Sequence, residues 1–135
     1  MTTGIINQVG ATVTLTKAIS EADVALVALL TNDHVPTPDK PMSLDPMGRV
    51  QAPSAFLTML LIGAASRHVG GSGTATVVHG DVSYTGAAWI GDTVTTSAEV
   101  LAHDAASQTV RVRAQCVNQD GKPLAAGTFD LRASA

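Results

Sequence analysis

The sequence predicts an α+β fold: one antiparallel sheet wrapped around one buried helix, in a single domain spanning residues 1–135. Three observations lead there. Residues 73–133 read as four alternating, strand-like runs joined by short turns. Residues 53–71, "PSAFLTMLLIGAASRHVGG", are apolar nearly all round from Ala55 to Ala65, the pattern of a helix buried on every side. Ahead of both stand one alternating run and one short amphipathic helix.

In chain order, "ATVTLTKAI" (11–19) alternates apolar and polar residues and is rich in β-branched side chains, which predicts a strand. "SEADVALVALL" (20–30) changes period, with Val24, Val27 and Leu30 on one face. Ser20 is placed as its N-cap and Asp23 completes a capping box. Residues 32–52 hold Pro36, Pro38, Pro41 and Pro46, so a long irregular loop is expected. Such loops in compact domains are usually functional or disordered. The helix 53–71 opens on Pro53 and closes on a Gly pair. The strands 73–86, 92–104, 108–119 and 123–133 then form an expected meander, with Asp120-Gly121 as a hairpin signal.

Composition narrows the function classes. The hydrophobic fraction is 45% and the charged fraction 14%, so the core is built from aliphatic side chains around only four aromatics. A net charge of −3 without a Lys/Arg cluster argues against nucleic acid or an anionic membrane as partner. The single Cys116 reads as core and fits a reducing compartment. The opening "MTTGIINQVG" lacks the basic start and apolar run of a signal peptide, and "AFLTMLLIGAA" is too short to span a bilayer. A soluble cytoplasmic domain is the expectation. The isolated histidines offer no metal set, and "GGSG" (70–73) is a turn rather than a nucleotide cradle, so no cofactor is expected. So short a chain around one sheet also favours dimerisation.

Several stretches resemble the MaoC-like hydratase/dehydratase family, single hot-dog domains similar to (R)-specific enoyl-CoA hydratases. "ISEADVALVALLTNDH" resembles the family's opening helix and the Thr-Gly-Asp-x-Asn-Pro-x-His loop it runs into. "GRVQAPSAFLTMLLIG" is similar to the Gly-Arg-x-x-His-Gly approach to the central helix. "WIGDTVTTSAEV" and "VRVRAQCVNQDGKPLAAGTF" resemble the last three strands. The resemblance runs from about Thr16 to Ala133. It implies a hot-dog dimer that adds water to, or removes it from, acyl thioesters on coenzyme A or acyl carrier protein. A loop Asp and His would act on water, and a backbone N–H near the helix start would polarise the thioester carbonyl.

Aligned residue by residue, Asp33 falls on the family Asp, Pro36 on the family Pro, and Gly48 and Arg49 on the family Gly-Arg. The family His falls on Pro38, and the family His-Gly falls on Ala52-Pro53. Proline transfers no proton and has no N–H, so half the acid–base pair and the usual oxyanion donor are replaced. Three groups stand ready to take over: His34 beside Asp33, the N–H or hydroxyl of Ser54, and Asp33 acting alone. The candidate site is therefore Asp33 and His34 for catalysis, with Arg49, Ser54 and His79 for substrate binding. His79 shares a strand face with Asp81 and belongs to a site only if that face meets the helix. Ser54 also reads as a helix cap, Arg49 as the partner of a carboxylate, and His68 as a last-turn histidine favoured by the helix dipole.

The expected function is acyl-thioester hydration or dehydration with a rebuilt site and Asp33 as the proton-transfer group. The alternatives are a non-catalytic hot-dog subunit, or an acyl-binding partner in a heterodimer. A thioesterase or a biosynthetic isomerase or cyclase on the same fold is a third class.

Overall fold

The computed structural model describes residues 5–31, 48–70 and 75–133. Strand β1 (Ile5–Ile6) is followed by β2 (Thr12–Ala18) and helix α1 (Glu21–Leu30). Helix α2 (Ser54–Ser66) leads into β3 (Val69–Gly70), and β4 (Ala75–Tyr84), β5 (Thr93–Asp104), β6 (Thr109–Val117) and β7 (Pro123–Ala133) complete the chain. The five long strands form one antiparallel sheet in the order β2-β5-β6-β7-β4, and β1 pairs with β3 in a separate two-stranded ribbon.

Local chemistry starts the elements where the pattern places them. At α1 the Ser20 hydroxyl accepts from the Asp23 N–H at 3.1 Å, and the Asp23 carboxylate accepts from the Ser20 N–H at 2.9 Å. That is the expected capping box. β5 and β6 bury alternate residues, Val94, Thr96, Ala98 and Val100 on one and Val110, Val112, Ala114 and Cys116 on the other. This inner face packs on Phe56, Leu57, Leu61, Ala64 and Ala65 of α2, giving one core.

Three expectations are corrected. The last four strands are not a simple meander: β4 skips its sequence neighbour β5 and pairs with β7, making it an edge of the sheet. Alternation encodes faces, not neighbours, so this crossing is invisible in the pattern. Second, α2 stops at Ser66 rather than running on to 71, because His68 turns inward. The His68 ring is fully buried, its Nε2 donating to the Ala98 carbonyl at 2.7 Å and its Nδ1 accepting from the Asn7 amide at 3.1 Å. It is thus a core group that ties β1 to the sheet, not a residue of the last helical turn. Third, α2 is not enclosed on all sides. Ala55, Met59 and Gly63, four residues apart, form a stripe open to solvent, with Met59 47% exposed. One sheet covers only one side of a helix.

Two glycines let β4 and β7 lie close over an aromatic ring. A Cβ on Gly127 would stand 2.6 Å from the Asp81 carbonyl oxygen and 3.0 Å from Phe129, and one on Gly80 would stand 2.8 Å from the same ring. Both strands need glycine there.

Candidate functional site at the start of the central helix

Residues 48–53 lead into α2 and are fastened to the segment after β4. The Ala52 N–H donates to the Ala88 carbonyl at 2.8 Å, the Ile90 N–H to the Val50 carbonyl at 2.9 Å, and Gln51 bridges Trp89. The strongest tie is ionic. Arg49 Nη1 donates to Asp92 Oδ1 at 2.8 Å, which also accepts from Gln119 Nε2 at 3.0 Å. Asp92 Oδ2 accepts from the Trp89 N–H at 3.0 Å. Asp92 is 1% exposed, so its carboxylate is a buried clamp joining the approach to α2, the segment before β5 and the β6–β7 turn. Among the expected substrate contacts, Arg49 is therefore committed at one nitrogen to a carboxylate, the structural alternative weighed for it.

At the helix start Pro53 takes the N-cap position, with φ −60° and ψ 145°. Ser54 opens the helix instead of capping it, which corrects the expectation that its hydroxyl is the cap: no side-chain cap bond is formed. The Phe56 N–H already returns to the Pro53 carbonyl at 2.9 Å. The Ser54 and Ala55 N–H groups precede any intrahelical acceptor, and both residues are exposed at the positive end of the dipole.

One turn further on, Thr58 Oγ1 is hydrogen-bonded to Tyr84 Oη, joining α2 to the end of β4. Tyr84 lies on the inner face, since its register partner is the buried Ala125, and it is 48% exposed. Sequence reasoning passed over Asp92, Thr58 and Tyr84. Asp92 had a signal, a carboxylate in the tight "WIGDT" turn, whereas the Thr58–Tyr84 pair depends on a strand placement that no local pattern encodes.

The remaining candidates fall elsewhere. Asp33 and His34 lie outside the described residues, as do Pro36, Pro38, Pro41 and Pro46. His79 pairs in register with Asp130, and its neighbour Gly80 with the buried Phe129, so His79 and Asp81 point to the outer face. Their side chains meet at 3.4 Å in solvent, away from α2. The structure thus brings Arg49 and Ser54 to one place and leaves His79 out. His103 is exposed at the end of β5 and Cys116 is buried, both as expected, and burial pushes the Cys116 thiol up from its ordinary value. Two open cavities, of about 390 and 310 Å³, lie beside Arg113 and Glu99 and beside Arg111 and Asp130, in neither case touching the start of α2. No group of three or more His, Cys, Asp or Glu among the described residues is arranged for a metal ion. No helix among them is long and apolar enough to cross a membrane.

Set against solved structures, this arrangement of sheet and helix matches the (R)-hydratase PhaJ1 of Pseudomonas aeruginosa with a TM-score of 0.80, covering 97% of this chain and 86% of that one at 22% identity. The protein has the hot-dog fold. It matches the (R)-hydratase of A. caviae involved in PHA biosynthesis equally well, at TM-score 0.80 and 22% identity over 95% of this chain and 98% of that one. The fluoroacetyl-CoA thioesterase FlK shares the hot-dog architecture at TM-score 0.71 and 16% identity, over 95% of this chain and 88% of that one. No family model matches the chain, and no protein of curated function matches it.

Proposed function

We propose that the protein is a cytoplasmic, MaoC-like acyl-thioester hydratase or dehydratase with a rebuilt active site, in which Asp33 is the proton-transfer group. The observation that carries this reading is the fit to two (R)-hydratases over nearly the whole chain, with α2 in the same architecture. The local geometry supports it. Arg49, held by Asp92, fixes the segment that leads into the helix, and the Ser54 and Ala55 N–H groups, ahead of any intrahelical acceptor, are donors suited to an oxyanion. In hydration, water adds at C3 of an enoyl thioester and loses a proton to Asp33, and C2 then gains one. With proline at the family His position, one carboxylate carries both transfers, with His34 next to it in the chain. His79 takes no part in this site.

The thioester is carried on coenzyme A or acyl carrier protein, and the partner is a second copy of the chain. Edge strand β4 is exposed along most of its length, with Val77 at 38% and Val78 at 43%, and it adjoins the open α2 stripe. Antiparallel pairing about a two-fold axis at Gly80 sets His79 opposite Asp81 of the other copy, twice. An axis at Asp81 would oppose two carboxylates, which is unfavourable. The charges select the first register.

A thioesterase reading has one observation of its own, the shared fold of FlK. A non-catalytic subunit is favoured by Pro38 and Pro53. Enoyl-CoA substrates with enoyl absorbance and free thiol followed together separate the three. Loss of the enoyl band without thiol is hydration, thiol release is hydrolysis, and two flat traces exclude both reactions.

A further inference from the structure

The acyl-thioester reading leaves a gap beside the Ser54 and Ala55 N–H groups, where Pro53 offers no N–H to the thioester oxygen. We infer that the Tyr84 hydroxyl fills it, as the hydrogen-bond donor to the oxygen on which charge develops. This rests on the acyl-thioester reading and names a further residue of that site.

Tyr84 closes β4 with its ring on the inner face, and its Oη meets Thr58 Oγ1. Thr58 follows Ser54 by one helical turn, about 6 Å along the axis. Helical side chains lean toward the N-terminus, so the hydroxyl pair stands over the first turn, near its N–H groups. The chain beyond Tyr84 is fastened to the same end of the helix by the Ala52–Ala88 hydrogen bond and the Gln51–Trp89 bridge. The position of the phenol is thus fixed from both sides. It is also half exposed, so a ligand approaching the helix start can reach it.

The surroundings make the pair distinctive. Next to Tyr84 on the inner face of β4 are Gly80 and Val82, and the open stripe of α2 carries Ala55, Met59 and Gly63. The pair is a polar point beside these apolar residues, and a thioester seated there would shield it from water, so that a hydrogen bond to developing charge would count for more. Each hydroxyl has one proton to donate. With Thr58 donating to Tyr84, the phenolic proton is left for the ligand.

The step balances without moving that proton. The water oxygen bonds to C3 and its proton passes to Asp33, while the double-bond electrons move through C2 to form the enolate. C2 then takes the proton from Asp33 and the thioester carbonyl returns. Tyr84 donates a hydrogen bond throughout and transfers no proton.

The test uses the full chain and its Tyr84→Phe and Thr58→Val variants. Hydration of crotonyl-CoA is measured, together with the infrared carbonyl band of bound butyryl-CoA and the melting temperature. Tyr84→Phe should lower kcat by about 100-fold, the usual loss for one oxyanion donor, with KM within a factor of two. Its bound carbonyl band should move back toward the free value. Thr58→Val breaks the same inter-element bond but keeps the phenol, so it should retain the shifted band. A Tyr84→Phe enzyme with unchanged kcat and band, beside an active wild type, overturns the role of Tyr84 alone. Equal band losses in both variants would make the pair a structural tie and also overturn it. An inactive wild type that binds neither thioester removes the acyl-thioester reading and this inference with it.

Discussion

Replacing Asp92 by asparagine probes the clamp that holds the approach to α2. The carboxylate accepts three hydrogen bonds, from Arg49 and Gln119 at Oδ1 and from the Trp89 N–H at Oδ2. Asparagine keeps the shape but turns one acceptor into an NH₂ group. If that group replaces Oδ2, it faces the Trp89 N–H donor. If it replaces Oδ1, it faces two donors at once. In either orientation a buried donor loses its acceptor, and the charge opposite Arg49 Nη1 is removed. Breaking a fully buried ion pair costs roughly 3–5 kcal/mol. The Arg49 side chain is 36% exposed and regains some hydration, so about 3 kcal/mol is expected. For a domain of this size that corresponds to a fall in melting temperature of roughly 10 °C. Urea unfolding followed by Trp89 fluorescence reads the change, since the only tryptophan lies beside the clamp. A loss below about 1 kcal/mol would show that water or neighbouring groups replace the carboxylate, contradicting the assignment of Asp92 as the main tie at this end of the helix.

Three other outcomes follow from particular contacts. Gly127→Ala pushes a methyl group against the Asp81 carbonyl at 2.6 Å, so a loss of about 1–3 kcal/mol is expected in the same unfolding assay, whereas unchanged stability would mean that β4 can shift freely. Asp81→Lys should weaken self-association in sedimentation equilibrium, and His79→Asp added to it should restore much of the loss; a monomeric wild type would remove the proposed β4 pairing. Arg111 hydrogen-bonds and charge-pairs with Asp130, holding its carboxyl below the ordinary 3.8. A depressed folded value stabilises the protein above the ordinary one, and that contribution is lost as pH falls through the folded value. The stability gap between wild type and Asp130→Asn should therefore be full at pH 6 and close below pH 4, and a gap independent of pH would contradict the pairing.

What local chemistry dictates was legible in the sequence. The capping box of α1, the alternation of β5 and β6 and the apolar body of α2 all depend on residues close in the chain, and the structure holds each of them. What depends on distant partners was not. His68 needed the Ala98 carbonyl and Asn7, from other elements, to become a buried, hydrogen-bonded ring. The outward facing of His79 followed from β4 pairing with β7, which no alternation pattern specifies. Thr58 and Tyr84 looked like one residue of a buried helix and one of a strand until that pairing brought their hydroxyls together. Arg49 and Ser54 could be placed near the helix start because they adjoin it in sequence, but their partners, Asp92 for one and none at the cap for the other, required the fold.

The most direct test of the central proposal is the rate of enoyl-CoA hydration by the purified wild type beside Asp33→Asn, with free thiol followed in parallel. The account predicts loss of the enoyl band without thiol release in the wild type, and a fall of at least about 100-fold in Asp33→Asn, as expected for removal of a general base. Equal rates in the two proteins would contradict the assignment of Asp33, and no reaction in either would contradict hydration itself.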